Sequence, residues 1–122
     1  MRLAVDEQRD VTVVRVEEAK LTYPVLSTFF AEVQRLVEAG TRRLVVDLAG
    51  VSYIDSASIG CMMDIHRLLQ EKKGAFCLSG LQPRVETMIS MTGVHKIVPL
   101  HRDLEEAVQS LGGKKRGGRG DA

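Results

Sequence analysis

Asp55, Ser56 and Ser58 are the side chains of this 122-residue chain best placed for chemistry, in the stretch Val51-Ser52-Tyr53-Ile54-Asp55-Ser56-Ala57-Ser58-Ile59-Gly60. An oxygen at position 55 or 56 can accept from the first free N–H groups of a following helix, which is helix capping. The Ser56 hydroxyl, followed by small Ala57, Ser58 and Gly60, can also be reached by a kinase. A phosphate there adds about −1.5 to −2 charges. Helix-end N–H groups tolerate that anion, whereas Asp55 and any acidic or apolar partner surface disfavour it. The segment therefore reads as a cap and, at Ser56, as a candidate phosphorylation site. Ser58, already inside the helical turn, is the less reachable acceptor.

Other constellations are missing. Cys61, Asp64 and His66 lie close in sequence, but helical residues two, three and five apart do not converge on one ion as an i, i+4 pair does. His66, His95 and His101 show neither HxxxH nor HExxH spacing, and there is no GxGxxG, GxxxxGK[ST] or GxSxG. No metal, no cofactor and no enzymatic activity are expected. Lys114, Lys115, Arg116 and Arg119 against Asp121 give the last eleven residues +3, so the body carries −2 of the net +1. A mildly acidic body lacks the concentrated basic surface that phosphate backbones require, and two Tyr, three Phe and no Trp supply little for base stacking. No nucleic acid partner is expected. Cys61 and Cys77 sit in apolar stretches as buried thiols, which suits a reducing compartment. No signal peptide or membrane-length apolar run is visible, so the expected location is cytoplasmic.

The elements that must position Ser56 follow from periodicity. Val11–Val16 is a β-branched strand, with Leu3–Gln8 as its antiparallel partner through Arg9-Asp10. Pro24 opens a helix with Val25, Leu26, Phe29, Phe30, Val33, Leu36 and Val37 at helical spacing, stopped by Gly40. Arg43–Leu48 is a strand covered on both faces, and Ala49–Ser56 is a loop. Ala57–Gln70 is a helix apolar around most of its circumference, with Asp64, Arg67 and Gln70 on one narrow stripe. Ala75–Leu78 is a short strand, Gln82–Met91 a helix ending near Gly93, Ile97–Leu100 a strand, and Asp103–Leu111 a helix capped by Asp103. The expected fold is α/β: a mixed, mostly parallel sheet of about five strands against about four helices, in the order ββαβαβαβα. One domain fills residues 1–111, and the glycine-rich basic tail 112–122 is expected to be disordered.

Val45-Val46-Asp47-Leu48-Ala49-Gly50-Val51-Ser52-Tyr53-Ile54-Asp55-Ser56 resembles the strand-and-loop signature of STAS domains, the anti-sigma-factor antagonists of bacteria. The stretch Val85–Ile97, with its Thr92-Gly93 turn, resembles the same family's penultimate helix and entry to the last strand. The resemblance implies a STAS-like fold over roughly residues 3–111 and a non-catalytic protein-binding module. It maps the family's phosphorylated serine onto Ser56. It implies that the unphosphorylated protein binds an anti-sigma factor that is also a serine-protein kinase, and that a serine phosphatase restores this form. The implied contact surface is Ser52, Tyr53, Asp55, Ser56, Ala57, Ser58, Ile59, Gly60 and Cys61, with exposed residues of the same helix. Two departures stand out. The family often reads Asp-Ser-Ser-Gly or Asp-Ser-Thr-Gly where this chain has Asp55-Ser56-Ala57-Ser58. Thr22, in Ala19-Lys20-Leu21-Thr22, occupies the position of the Asp in a Gly-x-Leu-Asp motif at the partner site's acidic edge. The other role compatible with the resemblance is a structural subunit of a stress-signalling scaffold or lipid-transport ABC system, in which Ser56 only caps its helix.

Overall fold

The computed structural model describes the backbone of residues 1–117 and the side chains of residues 1–112. Strands β1 (Leu3–Gln8) and β2 (Val11–Val16) form a hairpin with Gln8 opposite Val11. Its two loop residues, Arg9 and Asp10, both have positive φ, 54° and 66°. This primed turn matches the right-handed twist of paired strands. The chain continues through β3 (Lys20–Leu21), α1 (Tyr23–Glu38), β4 (Arg43–Asp47), β5 (Tyr53–Ile54), α2 (Ser56–Glu71), β6 (Ala75–Ser79) and α3 (Pro83–Thr92). A 3-10 turn (Val94–Lys96), β7 (Leu100–His101) and α4 (Leu104–Gly117) complete it. The main sheet has the order β1-β2-β4-β6-β7, antiparallel only at β1, and β3 pairs with β5 in a second, two-stranded sheet. The α/β class and the order of major elements match the expectation.

Strand alternation sorts the side chains between two layers. Val14, Val16, Leu44, Val46, Phe76 and Leu78 face the larger core with Phe29 and Val33 of α1, Ile65 and Leu69 of α2, and Ile89 of α3. The intervening Val11, Val13, Val45 and Cys77 face α4 through Ala107, Val108 and Leu111. Burying each large apolar side chain stabilises the fold by about 1.5–3 kcal/mol. The parallel strands thus carry apolar residues on both faces, which is why RLVVDL shows no polar alternation. Asp47, at the end of β4, is 5% exposed. Its Oδ2 accepts from Arg15 Nε at 3.2 Å and its Oδ1 from the Ala49 amide at 3.0 Å. The carboxylate therefore bends the chain from β4 into the Ser56 segment.

Strand β3 was not expected from the sequence, and several boundaries differ from the sequence reading. Part of the expected loop Ala49–Ser56 is β5, and the helix after it begins at Ser56. The expected strand Ile97–Leu100 is displaced to Leu100–His101, because the amides of Ile97 and Val98 both donate to the Val94 carbonyl and Pro99 has no N–H. α2 ends at Glu71, and Lys73, not the expected Gly74, takes the left-handed conformation after it at φ 61°; the Gly74 backbone instead runs beside the Arg42 carbonyl, where a Cβ would clash with that oxygen. Gly112, expected in a disordered tail, is buried within α4, close against the Arg9 carbonyl in the hairpin turn. A close approach, and not chain flexibility, explains this glycine. The backbone of 113–117, also expected in the tail, continues α4, and 118–122 lie outside the described residues.

Candidate functional site

The capping chemistry belongs to Asp55 and Ser58. Asp55 is the N-cap of α2, in extended conformation at φ −124° and ψ 179°. Its Oδ1 accepts from the Ser58 amide at 2.9 Å, while Ser58 Oγ accepts from the Asp55 amide at 3.0 Å and donates to the Asp55 carbonyl at 2.6 Å. This is a capping box in which serine takes the usual place of Glu or Gln. Ser58 is 0% exposed. The second carboxylate oxygen, Oδ2, accepts from the Tyr23 amide at 2.9 Å. One carboxylate therefore caps α2 and also holds the first turn of α1, whose own N-cap, Thr22, makes no side-chain cap bond.

Ser56, the first helical residue, is left out of this network. It is exposed, and among the described residues its hydroxyl makes no hydrogen bond within the protein. The α2 residues Gly60, Asp64, Arg67 and Gln70 continue the exposed stripe from Ser56, as helical spacing requires. Asp64 and Arg67 form an ion pair on it. Of the other candidate residues, Ser52 and Tyr53 are exposed, Thr22, Asp55 and Ala57 half-buried, and Ile59 and Cys61 buried at 8% and 7% exposure. Ser52 Oγ donates to the Ala19 carbonyl at 3.2 Å, closing the loop onto the β3 segment.

Two grooves are lined by sequence neighbours of Ser56, one by residues that follow it and one by residues that precede it. One, of about 730 Å³, runs between α1 and α2 and is lined by Tyr23, Ser27, Ala57, Gly60, Met63 and Arg67 among others. The second, of about 740 Å³, lies between the β3/β5 pair and the start of α3, lined by Lys20, Ser52, Tyr53, Gln82, Pro83 and Arg84. Gln82 Nε2 donates to the Ala49 carbonyl at 2.9 Å and fixes that wall. Tyr23, 74% exposed, lines the first groove, although the sequence reading opens the helix at Pro24 and does not single it out. Its signal in the sequence is an aromatic residue directly before the helix-opening Pro24. Burial pushes the Cys61 thiol, at the floor of the first groove, up to about 11 and that of Cys77 up to about 12; neither is an activated thiolate. Among the described residues no group of three His, Cys, Asp or Glu could hold a metal ion, and no helix is long and apolar enough to cross a membrane.

Residues 2–107 match the profile of the STAS domain. The chain belongs to the STAS domain family. BtrV of Bordetella bronchiseptica, assigned as an anti-sigma factor antagonist, is 31% identical over 81 residues, covering 66% of this chain and 70% of that protein. A Thermotoga maritima protein with the same assignment has the same fold, with a TM-score of 0.81 and 23% identity over 89% of this chain and 93% of that one. The anti-sigma factor antagonist SpoIIAA in its unphosphorylated form superposes with a TM-score of 0.78 and 18% identity, covering 92% of this chain and 97% of that one.

In this STAS domain the Thr22 departure has a local structural consequence. Because Thr22 does not cap α1, Asp55 supplies the acceptor from across the site. Burial by itself raises the Asp55 carboxyl, but the amides of Tyr23 and Ser58 and the Ser58 hydroxyl outweigh it and hold the group below the ordinary aspartate range. A lowered native pKa contributes stability that is present above the unfolded value of about 3.9 and lost as pH falls through the native value. Urea denaturation is therefore expected to show the wild-type STAS domain losing more stability than Asp55→Asn between about pH 5 and pH 3. Equal losses in the two proteins would show that the cap is not titrating.

Proposed function

We propose that this STAS domain is a cytoplasmic anti-sigma-factor antagonist controlled by phosphorylation of Ser56. Unphosphorylated, it docks the Ser52–Cys61 surface on an anti-sigma factor that is also a serine kinase, and so releases the sigma factor. Phosphate on Ser56 ends the docking, and a serine phosphatase reverses it. The observation that carries the reading is the division of labour at the start of α2. Asp55 and Ser58 provide the cap, so the exposed Ser56 hydroxyl serves no structural bond and is free to be modified. This disfavours the structural-subunit alternative in the form where Ser56 only caps its helix. The anti-sigma factor antagonist assignment of BtrV and the unphosphorylated form in which SpoIIAA is described support the same reading.

The test is incubation with the cognate kinase and ATP, followed by fragmentation mass spectrometry of the tryptic peptide Leu44–Arg67. That peptide holds Ser52, Ser56 and Ser58 together, so fragment ions must separate them. A single phosphate on Ser56 is the expected result. Phosphate on Ser52 or Ser58, or none with a kinase that binds the protein, overturns the assignment.

A further inference from the structure

The margin of the main sheet at β1 carries a pattern that the proposed function does not use. Among the described residues β1 is hydrogen-bonded to β2 alone, so its other side is an open edge. The two-residue turn makes Gln8 and Val11 a hydrogen-bonded pair. Alternation then directs the N–H and C=O of Ala4 and Asp6 toward β2, and those of Leu3, Val5 and Glu7 outward. The Glu17 amide, donating to the Arg2 carbonyl at 3.0 Å, agrees with this phase. The edge is six residues long, contains no proline, and exposes Val5 at 44%. An edge of that kind invites another strand.

We propose that two copies of this chain pair antiparallel through β1, about a two-fold axis at Ala4, joining their sheets into one of ten strands. The sequence of the edge selects this occupant and this register. With Ala4 opposite its own symmetry mate, Arg2 stands directly opposite Asp6 of the second copy, and Leu3 opposite its Val5, each twice by symmetry. Opposite charges and apolar pairs in such positions favour pairing. Arg2 and Asp6 are both exposed and lie on the same face of the sheet. In the single chain the Arg2 side chain donates to the Glu17 carbonyl on the β2 side at 3.2 Å and Asp6 Oδ2 accepts from Gln8 Nε2 at 3.3 Å; pairing exchanges these exposed bonds for the Arg2–Asp6 contact. Moving the axis to Val5 sets Leu3 against Glu7, and moving it to Asp6 sets two aspartates against each other. The acidic residues thus disfavour the registers shifted toward the turn, and a shift the other way, to an axis at Leu3, gives up the Arg2–Asp6 pairs. The outward groups of Leu3 and Val5 bond reciprocally across the axis.

An interface of one strand pair is small, so the dimer is a weak one, requiring sedimentation of the full chain up to about 0.5 mM. Mass is expected to rise from the 13.5 kDa monomer toward twice that value. The Leu3 and Val5 amides gain exchange protection with concentration, while those of Ala4 and Asp6 stay protected throughout. Asp6→Arg and Arg2→Asp, each placing like charges opposite one another, are expected to weaken the dimer about tenfold. The double variant Arg2→Asp/Asp6→Arg restores the pairing with the charges exchanged, and circular dichroism confirms that all three variants remain folded. A chain that stays monomeric, or a dimer indifferent to these charges, overturns the proposal. Arg2–Glu7 lines neither groove beside Ser56, so this result and that of the kinase experiment are read separately.

Discussion

Ser56→Asp is expected to weaken binding to the anti-sigma partner about a hundredfold, as read by calorimetric titration, while leaving the domain folded. The argument separates two effects of the same charge. At the interface, the new carboxylate must be desolvated against a surface evolved for a neutral hydroxyl, beside an Asp55 that is already ionised. Like charge brought into a contact costs several kcal/mol. Within the domain, position 56 is the first residue of α2, where a negative side chain meets the positive end of the helix and stabilises by about 0.3–1 kcal/mol. The thermal midpoint is therefore expected to stay level or rise slightly as affinity collapses. Ser56→Ala completes the test: it binds like wild type and ignores the kinase, because no hydrogen bond within the described protein depends on the hydroxyl. Wild-type affinity in Ser56→Asp, or a lowered midpoint accompanying the lost affinity, would falsify the switch.

Asp55→Ala is expected to act in the opposite way, through the fold. The substitution removes the acceptor for the Ser58 amide and for the Tyr23 amide together. Loss of one helix cap typically costs about 1 kcal/mol, and here two helix starts lose their acceptor at once. A loss of about 2–3 kcal/mol follows, which lowers the midpoint of a domain this size by about 10 °C. Ser58→Ala removes only the other half of the box and is expected to cost less. Calorimetry of the two variants ranks them directly, and a larger loss in Ser58→Ala would mean that the bond to α1 contributes nothing. Since Tyr23 lines the groove between α1 and α2, Asp55→Ala also loosens a wall of the docking surface. Its affinity therefore falls less steeply than that of Ser56→Asp, and in step with its stability.

Much of this architecture was readable because local signals agreed with the global fold. The β-branched run Val11–Val16 and the helical spacing from Leu26 to Val37 each specify their element without help from distant residues. The places where reading failed are those where two local options are nearly equal. Strands β3 and β5 are two residues each, too short for any period to show, and exist because their backbones meet across 33 positions of sequence. The apolar run Ile97–Leu100 suits a strand or a turn, and the Val94 carbonyl together with Pro99 decides for the turn. Gly112 reads as a breaker in a loose tail, yet its missing side chain is what lets α4 approach the hairpin.

At the candidate site the division is just as clear. Composition and the order of residues around position 55 established by themselves that a carboxylate and two hydroxyls open a mostly buried helix after a buried parallel strand. They did not settle whether Asp55 or Ser56 caps the helix, since either can reach a free amide in an isolated helix start. Only tertiary packing turned Ser58 inward, brought the Tyr23 amide to Asp55 from another helix, and left Ser56 facing solvent. The physical reason is that burial is a property of the assembled layers: α2 can press only one side against the sheet, and that choice leaves one hydroxyl outside.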